Sequence, residues 1–223
     1  MNITVKGVKK VFKQGAQELV VLHGIDVTFN QGTSYAITGV SGIGKSTFLQ
    51  IVAGLDAPTE GAVYFGDKNI ADFTPAEKSL FLNKTIGLVF QSPYLIPELS
   101  VLENIMVPGL IAEKPLERCK ERARDLLQKL KIEDKADSFP NTLSGGQQQR
   151  AALARAIFNE PKFLLADEPT GNLDMQTGKT IVDLLLQLQK ETGMGIIVSS
   201  HDQYVAQNME RVFKLQDGLL VKS

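Results

Sequence analysis

Nine consecutive residues limit this chain more than any others: Gly39, Val40, Ser41, Gly42, Ile43, Gly44, Lys45, Ser46 and Thr47. They fit G-x-x-x-x-G-K-[ST], a loop that wraps a phosphate chain. Its glycines let backbone N–H groups turn inward where a Cβ would obstruct them. Lys45 offers a flexible point charge to β- and γ-phosphates. Ser46 offers a hydroxyl to Mg²⁺, and Thr47 one to the α-phosphate. Such a loop needs a strand before it and a helix after it, because the helix N-terminus presents the positive end of the backbone dipole. Both are predicted: residues 33–38 (TSYAIT) read as a short buried strand, and 46–53 (STFLQIVA) as a helix with an apolar face. An ordinary Gly-rich turn would explain the glycines but not Lys-Ser-Thr at a helix start. The chain is therefore expected to be α/β and to bind a nucleotide.

The remaining segments fill out that fold. Residues 2–30 alternate as two β-strands around a Lys-Gln-Gly-Ala-Gln turn. Phe12 there is either half-buried strand or an aromatic plate for a base, and His23 carries no chemistry. Turn residues 54–61 lead to a strand at 62–66, and 72–84 read as a helical arm. The dense apolar strand 86–90 ends in Gln91, which is either turn polarity or a neutral ligand to Mg²⁺ or attacking water. Residues 92–137 change to helical periodicity, with Leu116, Cys119, Ala123, Leu126, Leu127 and Leu130 on one apolar face and the basic residues on a solvated one. Ser144 is a good N-cap. Gly145 and Gly146 behind it mark either a capped loop or a second phosphate-type site without a lysine. The apolar strand 163–168 delivers Asp167 and Glu168 to its C-terminal edge, suited to supporting Mg²⁺ and polarising water. Asp174 precedes a helix at 175–191. The buried strand 194–199 leads to His201, and a hairpin with an Asp217-Gly218 turn ends the pattern. Three strand ends thus place polar groups on one edge, where an open α/β sheet binds its ligand.

Composition removes other classes. Net charge −1 over 223 residues argues against general nucleic-acid binding. One cysteine, Cys119, permits no intrachain disulfide and fits a buried place in a reducing cytosol. No apolar run reaches the ~18–20 residues that span a bilayer. Residues 1–12 lack a signal-peptide core. A cytoplasmic protein is expected, with any membrane attachment made through a partner.

The phosphate loop, strand-end Gln91, LSGGQ at 143–147, apolar-Asp167-Glu168 and strand-end His201 occur in one order. Together they resemble the nucleotide-binding subunits of ATP-binding-cassette (ABC) transporters over essentially the whole chain. LSGGQ followed by apolar-DEPT is the specific part. The resemblance implies a P-loop NTPase core with an N-terminal antiparallel β subdomain and an inserted α-helical subdomain. All of it forms one domain, 1–223, with 1–91 and 138–223 as the core, 92–137 as the helical insert and 143–147 at its boundary. It implies ATP and Mg²⁺ as ligands. Gly39, Ser41, Gly42, Ile43, Gly44, Lys45, Ser46 and Thr47 would hold the triphosphate, with Phe12 against the base. Ser46, Gln91 and Asp167 would serve Mg²⁺. Glu168 would be the general base, with His201, Gln91 and Lys45 assisting. Leu143, Ser144, Gly145, Gly146 and Gln147 would act on ATP held by a second copy in a head-to-tail dimer, and Asp174 would lie in the loop that crosses the interface. The implied partners are a second copy and integral-membrane transporter subunits. These would hold the chain on the inner face of the cell membrane.

GLDAPTEG, LIPELSVLENIMVP, LSGGQQQRAALARA and LADEPTGNLD narrow the likeness to the lipoprotein-releasing and macrolide-exporter branch. The cell-division ATPase that activates peptidoglycan hydrolases shares PTGNLD and is the alternative. A non-transport ATP-binding regulator is a second, opposed by the presence of both Glu168 and His201. Soluble cassette ATPases acting on DNA or ribosomes usually carry a coiled-coil insertion or a second cassette, and this chain has neither. Two positions depart from the family. Ile43 replaces a small polar residue, with its backbone N–H expected to remain available. Phe12 stands where many relatives have Tyr, which keeps stacking and loses a hydroxyl.

Overall fold

The strands, in chain order, are β1 (Asn2–Gln14), β2 (Gln17–Asn30), β3 (Ser34–Thr38), β4 (Glu60–Phe65), β5 (Lys68–Asn69), β6 (Ile86–Val89), β7 (Phe163–Asp167), β8 (Gly195–Ser199), β9 (Arg211–Gln216) and β10 (Leu219–Lys222). The helices are α1 (Lys45–Val52), α2 (Pro75–Thr85), α3 (Val101–Ile111), α4 (Leu116–Lys129), α5 (Gly145–Ala156), α6 (Met175–Thr192) and α7 (Gln203–Asn208). The structure is a computed structural model that describes residues 1–15 and 17–222, so Ala16 of the expected first turn lies outside the described residues.

Two sheets organise the chain. The first is antiparallel, in the order β2-β1-β4-β5, and the second runs β10-β9-β3-β8-β7-β6. All neighbours in the second are parallel except β9 and β10. Its central strands are covered on both faces, which is why they read as continuous apolar runs. Tyr35, Ile37, Phe163, Leu165 and Ile197 face α1 and the antiparallel sheet. Ala36, Leu164, Ala166, Ile196 and Val198 face the helices α3 to α6. Helix α1 packs between the two sheets through Phe48, Leu49, Ile51 and Val52. Phe29 of β2 meets Tyr35 of β3 edge-on, with ring centroids 5.0 Å apart. The phosphate loop is therefore clamped from both sides at its helix.

The order β3-β8-β7-β6 sets four strand ends side by side. The phosphate loop follows β3, residues 200–202 follow β8, Glu168 follows β7 and Gln91 lies two residues beyond β6. All four thus share the carboxyl edge of a parallel sheet.

The helical insert forms as its periodicity predicts, with one correction. Cys119, Ala123, Leu126, Leu127 and Leu130 are buried, but Leu116 is 51% exposed. It is the first residue of α4, so its side chain leaves before the helix reaches the core. Ser100 caps α3 and forms a reciprocal box with Glu103. Pro108 lies inside α3. Its carbonyl accepts from Asn83 and Asn159, which tie the insert to α2 and to the segment after α5. Helix α7, capped by Asp202, was not expected. The closing hairpin was, and Asp217 and Gly218 have φ of 49° and 71°, the paired positive values of a type I′ turn. No helix among the described residues is long and apolar enough to cross a membrane.

Candidate nucleotide site

The loop before α1 is shaped by its glycines. Gly44 caps the helix at φ 110°, and a Cβ there would lie 2.6 Å from Val21 Cγ1 of β2. Only glycine fits both the left-handed backbone and that approach. No side chain caps α1, and its first turn carries no acid, so its leading N–H groups point into the loop uncountered. Lys45 is buried, and its Nζ donates to the carbonyls of Gly39 (3.0 Å) and Val40 (3.2 Å). The same Nζ lies 3.3 Å from Glu168 Oε1. Ile43 differs from expectation: its N–H is engaged by Val40 O, at 3.4 Å. Its side chain packs with the apolar cluster around α1.

An open cleft of about 610 Å³ lies over this loop. Ser41, Gly42, Gly44, Lys45, Ser46 and Thr47 form its floor, and Gln91, Glu168 and His201 its far side. Phe12 forms a wall, with Lys10 Nζ 5.0 Å from its ring centroid. Leu19 and Val21 extend that wall. Sequence reasoning missed both, although they alternate on one face of β2, a signal that period-2 reading can use.

The two carboxylates are held by the neighbouring strand. Asp167 Oδ1 accepts from Ser199 Oγ at 2.5 Å. Glu168 adopts φ 45°, an uncommon left-handed backbone for a non-glycine residue. Its N–H donates to Ser199 O (3.0 Å) and Ser199 Oγ (3.2 Å). That geometry turns the Glu168 side chain away from Asp167 and into the cleft. One oxygen faces Lys45 and the other lies 3.0 Å from His201 Nδ1. The sequence marks Ser199 only as part of a buried strand and carries no local signal of this polar role. Gln91 pairs with Asn172, another residue sequence reasoning left without a role.

Gly39, Ile43, Asp167, Leu143, Ser144, Gly145, Gly146, Gln147 and Asp174 do not line this cleft. Leu143 anchors in the core beneath the helices. Ser144 caps α5 in a reciprocal box with Gln147. A Cβ on Gly146 would lie 2.5 Å from Thr177 Cγ2, so α6 needs a glycine there. Asp174 caps α6 by accepting from the N–H groups of Gln176 and Thr177. Hydrogen bonds from Thr177 hold its carboxyl below the usual carboxylate range. The acid-free start of α5 thus lies apart from the cleft over the α1 loop.

Residues 22–171, more than half the chain, match the family model for the ABC transporter. The chain belongs to the ABC transporter family. It is 46% identical to the lipoprotein-releasing system ATP-binding protein LolD of Syntrophus aciditrophicus, over 98% of each chain. The LolD protein of Nitratidesulfovibrio vulgaris is 43% identical, over 96% of this chain and 92% of that protein. Among solved structures, the dimeric ATP-binding cassette MJ0796 in a post-hydrolysis state bound to ADP and Pi superposes with a TM-score of 0.91. It is 39% identical, over 99% of this chain and 97% of that one. The expected fold, a cassette core with an antiparallel β subdomain and a helical insert, is the one found.

Proposed function

We propose that this cassette is the ATP-hydrolysing subunit of a membrane complex that releases or exports lipoproteins, working as a head-to-tail dimer with ATP between two copies. The observation that carries it is the division of parts. Lys45, Gln91, Glu168 and His201 share one cleft, whereas the acid-free start of α5 lies outside it. A second copy would bring that helix start to the first copy's γ-phosphate. The relatives named for lipoprotein release support this choice over cell-wall control.

Each residue then has a step. The triphosphate enters the loop, and Lys45 turns from a single carboxylate to a more highly charged partner. That frees Glu168 Oε1 to accept a proton from water, while His201 keeps the other oxygen in place. Ser46, Gln91 and Asp167 offer oxygen donors of the kind Mg²⁺ takes. Among the described residues no cluster of three or more His, Cys, Asp or Glu side chains forms a metal cage, which suits an ion held largely by phosphates and water. Bound there, Mg²⁺ would offset charge between the β- and γ-phosphates. The remaining catalysis is positioning and charge stabilisation.

We assign the chain one working domain, with the α3–α4 insert docking on integral-membrane subunits. Those subunits would hold it on the cytoplasmic face of the membrane. The test is phosphate release by purified protein, alone and with its co-purified membrane partner, together with gel filtration of Glu168→Gln. ATP-dependent dimerisation and partner-stimulated release are expected. A monomer at saturating ATP with no phosphate release would overturn the reading.

A further inference from the structure

We infer that Asn172 is a positioning residue that fixes which end of the Gln91 amide faces the nucleotide cleft. This rests on the ATPase reading above and goes beyond it. Hydrogen-bond polarity decides the orientation. Asn172 Nδ2 donates to the backbone carbonyl of Gln91, at 3.3 Å. A backbone carbonyl only accepts, so the amino end of Asn172 must face it. Its other end, Oδ1, then faces the Gln91 side chain and only accepts. The partner across that contact must be Gln91 Nε2, which donates at 3.1 Å. Gln91 Oε1 is thereby the end left for the cleft, which the Gln91 side chain lines beside Ser46 and Glu168. An acceptor oxygen suits a hard cation or a water proton, whereas an amide NH₂ suits neither the cation nor a proton donor.

The packing around the pair holds the amide in place. A Cβ on Gly171 would lie 2.9 Å from Gln91 Nε2 and 3.2 Å from its Cδ, so the Gln91 amide packs closely against a residue without a side chain. The turn that carries Asn172 is itself anchored to the acid. Gly171 N–H donates to Glu168 O, and Leu173 N–H to Thr170 O, both at 3.0 Å. Asn172 therefore links Gln91 to the segment that bears Glu168 on one side and the α6 cap Asp174 on the other. A second copy pressing on that segment would move Gln91 with it.

The test compares wild type, Asn172→Ala, Gln91→Ala and the double variant. A fluorescent ATP analogue is titrated in EDTA and in excess Mg²⁺, and the Mg²⁺ dependence of turnover is measured alongside. Asn172→Ala is expected to leave affinity in EDTA unchanged and to shrink the gain produced by Mg²⁺ by ~5-fold, the effect of one lost hydrogen bond. The Mg²⁺ concentration for half-maximal turnover should rise by a similar factor, with the KM for ATP at saturating Mg²⁺ unmoved. In the Gln91→Ala background the same substitution should do nothing more. Asn172→Asp, which keeps an acceptor for Nε2 but sets a second acceptor oxygen against the Gln91 carbonyl, should also shrink the Mg²⁺ gain, and it carries the test if the alanine variant does not fold. Additive effects in the double variant, or a wild-type Mg²⁺ gain in Asn172→Ala, would overturn the inference. Absence of any Mg²⁺-dependent ATP binding in the wild type would instead overturn the ATPase reading.

Discussion

Helices α1 and α5 both begin at glycine-rich turns with no acid in the first turn, yet they treat their unpaired N–H groups in opposite ways. The start of α1 has no side-chain cap and leaves its donors to whatever enters the loop. The start of α5 closes on itself: Gln147 Oε1 accepts from Ser144 N–H at 2.9 Å, and Ser144 Oγ from Gln147 N–H at 3.4 Å. Helices α2 and α3 use the same reciprocal box but complete it with Glu77 and Glu103. A glutamate satisfies the donors and also cancels the helix dipole, whereas a glutamine satisfies them and leaves the positive field. The difference teaches that α5 satisfies its own end groups while keeping its positive field, the property its proposed role at a second copy's phosphate needs. The α1 loop, in contrast, leaves its donors open, as the proposed triphosphate site requires.

The largest effect should come from the cleft. Glu168→Gln keeps the side chain's shape against Lys45 and His201 but removes the base. Turnover is expected to fall by about 10²–10⁴-fold, while ATP still drives dimerisation. Full turnover in single-cycle phosphate release would remove Glu168 from the proposed mechanism and leave α1 as a binding site only.

The next prediction sets the two helix starts against each other. Lys45→Ala should disable the α1 half of each site, and Ser144→Asp the α5 half. Aspartate caps a helix as well as serine, so the second change is one of charge, not of fold. Each variant alone is expected to be inactive, and the mixture should regain phosphate release, because one copy's intact loop meets the other's intact α5. A mixture as inactive as its parts would mean that each copy hydrolyses ATP without its neighbour.

A finer change isolates the field at α5. Gln147→Glu makes its box like those of α2 and α3. The melting temperature should hold or rise slightly, and ATP-driven dimerisation should weaken by ~10-fold, since a carboxylate now opposes the phosphate. Unchanged dimerisation by gel filtration would show that the glutamine serves the cap alone.

What the sequence made legible follows the same division. Glycines, a lysine and strand-end acids each have a local physical reason, so the loop, Asp167, Glu168 and His201 could be assigned positions along one sheet edge. Alternation and continuous apolar runs gave the strands, and helical periodicity gave the buried face of α4. Ser199 and Asn172 were not legible, because each acts through a partner distant in the chain: Ser199 lies 32 residues from Asp167, and Asn172 lies 81 from Gln91. A serine in an apolar strand and an asparagine in a turn have ordinary local explanations, and only the sheet order brings their partners into reach. Leu116 failed for a smaller reason of the same kind, since periodicity does not say at which residue a helix meets its core.

The smallest effect tests the caps by pH. Hydrogen bonds from Ser100, backbone first and then side chain, hold the Glu103 carboxyl below its ordinary value of 4.5. A carboxylate whose pKa is depressed by folding stabilises the native state above its unfolded value, and that contribution is lost as pH falls through the folded one. At Glu77, hydrogen bonds from Thr74 act in the same direction. The α5 box, closed by neutral Gln147, contributes no such term. Glu103→Gln should therefore make the α3 cap behave like that of α5. Urea midpoints measured at pH 7 and pH 4 should differ less in the variant than in the wild type, with the variant slightly the weaker at pH 7. An equal difference in both proteins would mean that the Glu103 charge adds nothing to its cap, and the contrast between glutamate and glutamine boxes would then have to rest on function at α5 alone.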